Sequence, residues 1–233
     1  MSSKVDIGII GAMDSEIAML LEHLTDRCTR QVGGITFHSG IIGKRRVVIA
    51  KCGIGKVFAA MCAQAMILTY CPDIIINTGV GGAIECGIRV GDIVIGSRLV
   101  QHDMDTSAIG DPVGLISGIN VIYFDCDEKN AKIMESCARE LSLSHRRGII
   151  ASGDQFIADK GKKELISERF DASVCEMEGA AIAHVAYVNR VPFLVIRAIS
   201  DSADESSSMD YMQFLPIAAK NSASLTLKFI EKY

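Results

Sequence analysis

The feature that most constrains the fold is a set of short, largely apolar runs that alternate with segments of helical periodicity. The runs 5–10 (VDIGII), 72–79 (PDIIINTG) and 191–200 (VPFLVIRAIS) are rich in Ile and Val and lack the polar alternation of a half-exposed strand. Strands of this kind are buried on both faces, which requires helices above and below the sheet. The pattern predicts an α/β fold with a central mixed β-sheet flanked by helices.

The remaining elements follow from the same periodicities. Helices are predicted at 14–24, within 53–70 after a turn, at about 127–142 and at 212–232. The pattern also predicts a hairpin at 33–51 and strands at 92–102 and 146–152. A proline is tolerated only in the first turn of a helix, so Pro216 predicts that the last helix begins near residue 212. No low-complexity linker or internal repeat divides the sequence, and we expect a single domain over 1–233.

Charge and hydropathy argue against two classes of partner. The net charge is −4, the basic residues form short separated groups, and Trp is absent, whereas nucleic-acid binding usually needs a basic face with aromatic or helical readers. No apolar run reaches the roughly 18 residues of a membrane helix, and the first ten residues have too short an apolar core for a signal peptide. We therefore expect a cytoplasmic protein with no nucleic-acid or membrane partner.

Cysteine and histidine placement does not indicate a metal site. The eight cysteines form no CxxC pair and several lie inside apolar runs, which is typical of reduced, packed thiols. His102 with Asp103 and Asp105 comes nearest to a metal cluster, but no second His or Cys accompanies it. A structural or interface role is therefore expected for this group, and no metal or cofactor is predicted.

In a sheet covered on both faces, chemistry gathers where strands end and helices begin. After the first strand, the stretch GAMDSEIAML places Asp14 and Glu16 in a first helical turn, with no Lys or Arg between Gly8 and Leu20. The helix dipole favours acids there by roughly 0.3–1 kcal/mol, so capping alone accounts for their position. The stretch TGVGGAIECG after 72–78 lacks the third glycine of the dinucleotide-binding fingerprint, and no lysine of a Walker phosphate-binding loop follows it. A nucleotide-phosphate site is therefore weakly indicated, and a close approach of this backbone to a neutral ligand remains open.

Further acids lie beside a predicted helix start and after the predicted strand 191–200. CEMEGAAIAH carries Glu176 and Glu178 at alternating spacing beside a helix start, and VIRAISDSAD carries Asp201, although a Ser-Asp pair alone is more typical of a cap and loop. Together with Glu16, these acids would meet at the strand ends. Crowded carboxyl groups acquire different pKa values, so one can hold a proton while another stays ionised. That arrangement suits protonation of a leaving group together with activation of water.

Taken in order, these stretches resemble a known family. IGIIGAM-x-x-E, CGIGKV, DIIINTG-x-x-G, VGDIVI, HD-x-D, SGDQFI, CEMEGAAIAHV and VPFLVIRAISDSAD run collinearly with the bacterial 5′-methylthioadenosine/S-adenosylhomocysteine nucleosidases, from about residue 5 to the last helix. The resemblance implies the purine nucleoside phosphorylase-like fold, usually as a homodimer. It also implies hydrolysis of an N-glycosidic bond with release of adenine, in methionine salvage and without a cofactor.

The resemblance further implies roles for individual residues. Asp201 would donate a proton toward adenine N7, Glu16 would orient and deprotonate water, and Glu178 would hold the ribose hydroxyls and favour a cationic sugar. The other implied positions bind or support the substrate or, for the last two, cover the neighbouring subunit's site: Met13, Ile54, Val80, Gly82, Phe156, Ile157, Glu176, Met177, Arg197, Ser200, Tyr211, Phe214, Thr106 and Ile109.

Two positions depart from the family pattern. Val80 stands where many members carry a serine that helps to hold the water, and Tyr211 stands where phenylalanine is common. The carboxylate of Glu16 would repel phosphate, so hydrolysis is expected over phosphorolysis. A phosphorylase or an aminodeoxyfutalosine hydrolase of the same fold, and a non-catalytic nucleoside-binding or storage relative, are the alternatives.

Overall fold

The computed structural model describes residues 4–201 and 207–233, and the side chains of these residues outside 207–212. The strands are β1 (Ile7–Gly11), β2 (Thr25–Val32), β3 (Ile35–Ile42), β4 (Arg45–Lys51), β5 (Ile74–Ala83), β6 (Ile93–Gln101), β7 (Tyr123–Asp125), β8 (His145–Ser152), β9 (Ala172–Glu176) and β10 (Phe193–Asp201). The helices are α1 (Asp14–Glu22), α2 (Lys56–Tyr70), α3 (Glu128–Glu140), α4 (Lys160–Phe170), α5 (Gly179–Asn189) and α6 (Ser207–Lys232).

The strands form one mixed sheet, which confirms the predicted architecture. Their order is β10-β6-β8-β9-β5-β1-β4-β3-β2, with β7 paired to β6. The strand β10 also pairs with β5 in parallel, so β5, β9, β8, β6 and β10 close into a ring. This closure brings the carboxyl ends of β1, β5, β9 and β10 close together.

The predicted apolar runs are the buried centre of the sheet. All residues of β1, β9 and β10 are buried, as are nearly all of β5. Helix α2 packs on α5, and α6 packs against α1 and α3. On α6, Ser222 Oγ lies 2.6 Å from Thr78 Oγ1 and accepts a hydrogen bond from the backbone N–H of Gly79 at 3.1 Å, which fixes α6 to β5. Within the described ranges, no helix has both the length and the apolar character needed to cross a membrane.

The prediction for Pro216 is wrong. Helix α6 begins at Ser207, so Pro216 lies in its interior and not in its first turn. The proline removes one backbone donor, but the helix continues because residues after it are buried against the sheet, among them Ala218, Ala219 and Leu225. Tertiary burial thus outweighs the local loss.

Several elements were not predicted. The proposed hairpin at 33–51 is present as β3 and β4, but β2 adds a third strand whose residues are almost all exposed and show no apolar face. Helix α4 has a strongly charged sequence, KGKKELISERF, that hides the helical spacing of its buried residues Lys163, Ile166 and Phe170. The short strand β7 and the strand β9 were also missed.

Candidate active site

A cavity of about 310 Å³ opens where the closed ring of strands meets β1. Among the residues that the structure describes, its lining contains four acidic side chains and no Lys or Arg. The lining residues are Ala12, Met13, Glu16, Ile54, Val80, Gly81, Gly82, Phe156, Cys175, Glu176, Met177, Glu178, Ser200 and Asp201. The volume lies in the range of small-molecule sites, and the acids at or just after the ends of β1, β9 and β10 are brought together here.

Glu16 is buried and held by three backbone donors. Its Oε2 accepts hydrogen bonds from the N–H groups of Ala12 (2.6 Å) and Met13 (3.0 Å), and its Oε1 accepts one from Val80 (3.0 Å). The first two cap the start of α1, and the third ties the side chain to β5. Burial raises the pKa of Glu16 above its ordinary value, and the charge of Arg197 and these hydrogen bonds offset only part of that rise.

The glycine-rich stretch of β5 makes room for this carboxylate. A Cβ at Gly79 would collide with Glu16 Oε1, so a side chain at 79 would displace the acid. Asp14, the other acid of the first turn, is exposed and forms an ion pair with Lys51 at 2.8 Å. The capping function of this turn therefore belongs to Glu16 and not to Asp14.

Arg197 lies behind the cavity wall and joins several of its acids. The side chain is 1% exposed. Its guanidinium forms an ion pair with Glu176, donates to Asn77 Oδ1 at 2.5 Å and lies 4.0 Å from Glu178 Oε2. Burial lowers the pKa of Arg197, but Glu176, Glu178 and Glu16 outweigh it and the pKa is raised. Arg197 is thus a fixed cation that offsets the crowded carboxylates.

The two glutamates of the EMEG stretch have different surroundings. Glu176 accepts hydrogen bonds from Ser152 Oγ and from the backbone N–H groups of Glu178 (3.0 Å) and Gly179 (2.8 Å), so it caps α5 as well as pairing with Arg197. Glu178 accepts a single backbone hydrogen bond, from Gly55 at 2.9 Å. Burial and then the charge of Glu176 raise the pKa of Glu178 to about 7. Glu178 is therefore placed to change protonation near neutrality.

Asp201 ends β10 on the opposite wall. Ser200 Oγ donates to its Oδ1 at 2.9 Å. A Cβ at Gly82 would come 2.7 Å from its Oδ2, so the glycine gives the carboxyl group its space. The ammonium of Lys163, on α4, lies 3.7 Å from the same Oδ2. Lys163 was not predicted as a site residue, although its helical spacing with Ile166 and Phe170 is a signal that places it on the buried face of α4.

The other predicted positions divide into three groups. Ile157 lies beside the main cavity, in a small adjoining pocket that also contains Lys163 and Asp201. Phe214 is half-buried and does not belong to the described lining, and the side chain of Tyr211 lies outside the described residues. Thr106 and Ile109 do not belong to the lining and lie in or beside the short 3₁₀ turn Ser107–Ile109, where Ile109 is 82% exposed.

The two acids considered for a metal site have other contacts. Asp103 pairs with Lys56 at 2.5 Å, and Asp105 Oδ1 accepts a hydrogen bond from the backbone N–H of Ser107 at 2.8 Å. Across residues 4–201 and 207–233, no group of three or more His, Cys, Asp or Glu side chains is placed to hold a metal ion. All eight cysteines are free thiols, and five of them are buried.

Comparisons with known proteins identify close structural relatives. The model of the phosphorylase superfamily matches residues 6–231. A 5′-methylthioadenosine/S-adenosylhomocysteine nucleosidase from Neisseria meningitidis, in complex with methylthio-immucillin-A, is 33% identical, with a TM-score of 0.94 over 98% of this chain and 99% of that chain. An S-adenosylhomocysteine nucleosidase from Streptococcus pyogenes, in complex with 5-methylthiotubericidin, is 36% identical (TM-score 0.93; 100% and 98% covered). A futalosine hydrolase from Helicobacter pylori is 35% identical (TM-score 0.94; 100% and 99% covered).

Proposed function

The chain belongs to the phosphorylase superfamily and, within it, to the 5′-methylthioadenosine/S-adenosylhomocysteine nucleosidase family, and on that premise we propose that it hydrolyses the N-glycosidic bond of these nucleosides. The products are adenine and the thioribose, and 5′-deoxyadenosine is a further substrate of the same chemistry. The observation that carries the proposal is the acidic lining of the cavity, which holds four carboxyl groups and, among its described residues, no cation to bind phosphate. Water rather than phosphate is therefore the nucleophile.

Asp201 is the general acid of this reaction. Adenine leaves poorly as an anion, so a proton must reach its N7 as the bond to C1′ breaks. Asp201 lines the cavity, is 2% exposed and is oriented by the hydroxyl of Ser200. A positioned acid of this kind typically contributes 10²–10⁴-fold to the rate.

Glu16 is the base that takes a proton from the attacking water. Its two oxygens are held by three N–H groups, two from the residues just before α1 and one from β5, which fixes the direction in which a water can approach. Burial raises the pKa of Glu16, which makes its carboxylate a stronger base, while those donors and the charge of Arg197 limit the rise. Because Val80 cannot hydrogen-bond the water, Glu16 carries more of its positioning here than in relatives with serine.

Glu178 binds the ribose hydroxyls. Positive charge develops on the sugar as adenine leaves, and a carboxylate beside it stabilises that charge. Burial and Glu176 raise the pKa of Glu178 to about 7, so its anionic form is populated from about neutral pH upward. Glu176 and Arg197 hold the wall behind it and do not themselves need to touch the nucleoside.

The apolar part of the cavity accommodates the base and the thioether. Phe156, half-exposed at the mouth, provides a ring on which adenine stacks, with Ile157 behind it. Met13 and Ile54 line the side toward α1 and α2, and Met177 contacts the sugar. Tyr211 and Phe214 complete the slot for the 5′-thio group in this proposal.

A homodimer in the cytoplasm is the expected working form. Helix α2 exposes Val57, Phe58 and Met61, and α5 exposes Tyr187 and Val188, next to a groove between the two helices. Exposed apolar surface of this extent is typical of a protein interface. In the dimer, Thr106 and Ile109 of each copy cover the other copy's cavity.

The test is chromatography of the products formed from 5′-methylthioadenosine and S-adenosylhomocysteine, with and without phosphate. Free adenine and free methylthioribose at a rate independent of phosphate support the proposal. A sugar 1-phosphate refutes hydrolysis in favour of phosphorolysis. Release of a base from futalosine or its 6-amino analogue, with no adenine from either thioether, refutes the proposed substrates while leaving hydrolysis in place.

A further inference from the structure

Lys163 is a buried cation that the proposed reaction has not so far used. Its side chain is 1% exposed, although lysine is almost never fully buried unless it is paired. It lies in the first part of α4, where Asp159 caps the helix by accepting a hydrogen bond from the backbone N–H of Lys162. The neighbouring Lys160 and Lys162 are exposed, so only one lysine of this group points inward.

Lys163 lies close to one of the acids of the site, Asp201. Its Nζ lies 3.7 Å from Asp201 Oδ2, and both side chains are nearly inaccessible to solvent. This distance is that of an ion pair rather than of a hydrogen bond. Lys163 and Asp201 also share the small pocket that adjoins the main cavity, together with Phe156 and Ile157. The ammonium therefore lies at the end of the cavity where the base is expected.

The small pocket has two further ionisable groups among its described lining residues. Cys175 and Glu176 on β9 line the same pocket. Burial raises the pKa of Cys175 to about 12, so the thiol stays neutral over an ordinary assay range. Glu176 is engaged by Arg197 and by the start of α5. Of the charged groups that line this small pocket in the described structure, Lys163 is the cation that faces Asp201.

We propose that Lys163 is a positioning residue that strengthens Asp201 as an acid, by compensating the carboxylate left when its proton moves to the base. In this step the O–H bond of Asp201 breaks, an N7–H bond forms on adenine, and the electrons of the C1′–N9 bond leave with adenine. The oxygen of the attacking water forms the new bond to C1′ and gives one of its protons to Glu16. The proton that Glu16 takes from water returns to solvent, and Asp201 is reprotonated from solvent. This role of Lys163 rests on the proposed hydrolysis and adds a residue to it.

A nearby cation has two opposite effects on such an acid. An ammonium within about 4–6 Å favours the ionised form of a carboxyl group, typically by 1–3 pH units. Asp201 therefore releases its proton more readily to adenine. In the free enzyme, however, the protonated form of Asp201 is lost at a lower pH. The alkaline limb of the kcat/KM profile reports this loss.

The experiment compares kcat/KM for 5′-methylthioadenosine against pH in wild type, Lys163→Met, Lys163→Gln and Lys163→Arg. Lys162→Met is the matched control, because it makes the same substitution one residue earlier at an exposed position. We expect the alkaline limb to move upward by about 1–3 pH units in the Met and Gln variants. It should stay in place in the Arg variant and in the control, and the maximal kcat should fall in the Met and Gln variants.

Three results would overturn the inference: an unchanged limb in both neutral variants, an equal shift in the Arg variant, or no alkaline limb in wild type. A second measurement does not depend on activity. Unfolding by urea of Lys163→Met, Asp201→Asn and the double variant should be non-additive, with Asp201→Asn changing stability differently when Lys163 is absent. Additive effects would refute the pair. Absence of adenine release by wild type would instead refute the proposed function.

Discussion

Glu16 Oε1 accepts a hydrogen bond from the backbone N–H of Val80 at 3.0 Å, while its Oε2 caps the helix on which it lies. A residue of α1 is thus locked to β5, and the same residue presents its carboxylate to the cavity. Behind it, Ser222 of α6 binds Thr78 and the N–H of Gly79. The base proposed for water activation is therefore held from two sides, which limits its movement during the reaction.

Replacing the proposed acid should separate binding from turnover. Asp201→Asn keeps the shape and the hydrogen bond from Ser200, but an amide cannot supply the proton to N7. We expect kcat to fall by about 10²–10⁴-fold, with little change in the affinity for a non-cleavable adenine nucleoside measured by calorimetry. Near-normal turnover would refute the role of Asp201.

Replacing the proposed base should affect both rate and stability. In Glu16→Gln, the amide nitrogen cannot accept from an N–H group, so at least one of the donors from Ala12, Met13 and Val80 loses its partner. An unsatisfied buried donor costs about 1–3 kcal/mol, so the midpoint of thermal unfolding should fall together with kcat. Asp14→Asn, in the exposed neighbour, is the control. If Glu16→Gln retained full kcat, water activation would belong to another group.

The raised pKa of Glu178 predicts a pH dependence of stability. Its pKa rises from the model-compound value of 4.5 to about 7 in the folded protein, so the folded state binds this proton more tightly than the unfolded state. The stability that it contributes is complete below pH 4.5 and is lost as pH rises through about 7. The free energy of unfolding, measured in urea at several pH values, should therefore fall less between pH 4.5 and 7 in Glu178→Gln than in wild type. The control Glu164→Gln, at an exposed position, should keep the wild-type dependence of the unfolding free energy on pH. An identical dependence in both variants would contradict the raised pKa of Glu178.

Val80 offers a gain-of-function test. Val80 lines the cavity and is nearly buried, and a hydroxyl at this position adds a partner for the attacking water. One added hydrogen bond is worth about 0.5–1.5 kcal/mol, so Val80→Ser should raise kcat by roughly 2- to 10-fold. Val80→Ala removes bulk without adding a hydroxyl and should not raise it. Equal rates in the Ser and Ala variants would argue against a water beside residue 80.

The proposed dimer can be tested on its exposed apolar surface. Val57 on α2 is 71% exposed, so Val57→Asp should not disturb the fold of one copy but should introduce a charge at the interface. Sedimentation velocity should show a shift from dimer toward monomer, with an activity loss at low protein concentration. Leu165→Asp, at an exposed position of α4, should remain dimeric. An unchanged sedimentation coefficient for Val57→Asp would move the interface elsewhere.

Local patterns accounted for most of the sheet but not for its edges. The Ile- and Val-rich runs predicted β1, β5 and β10 because burial on both faces leaves a signature within each run. The strand β2 has no such signature, since it is exposed and held by pairing with β3 alone. The start of α6 was misplaced because Pro216 was judged by its local effect, while burial of the residues that follow it decides the helix.

The sequence by itself determined which chemistry was available: carboxyl groups after two predicted apolar strands, two more beside a predicted helix start, and glycines near them. Only the tertiary structure decided how these groups differ. Closure of the strands from β5 to β10 places Arg197 against Glu176, leaves Glu178 as the carboxyl with a pKa of about 7, and sets Lys163 beside Asp201. The physical reason is that strand and helix periodicity is local, whereas burial and charge–charge contacts depend on residues far apart in the chain.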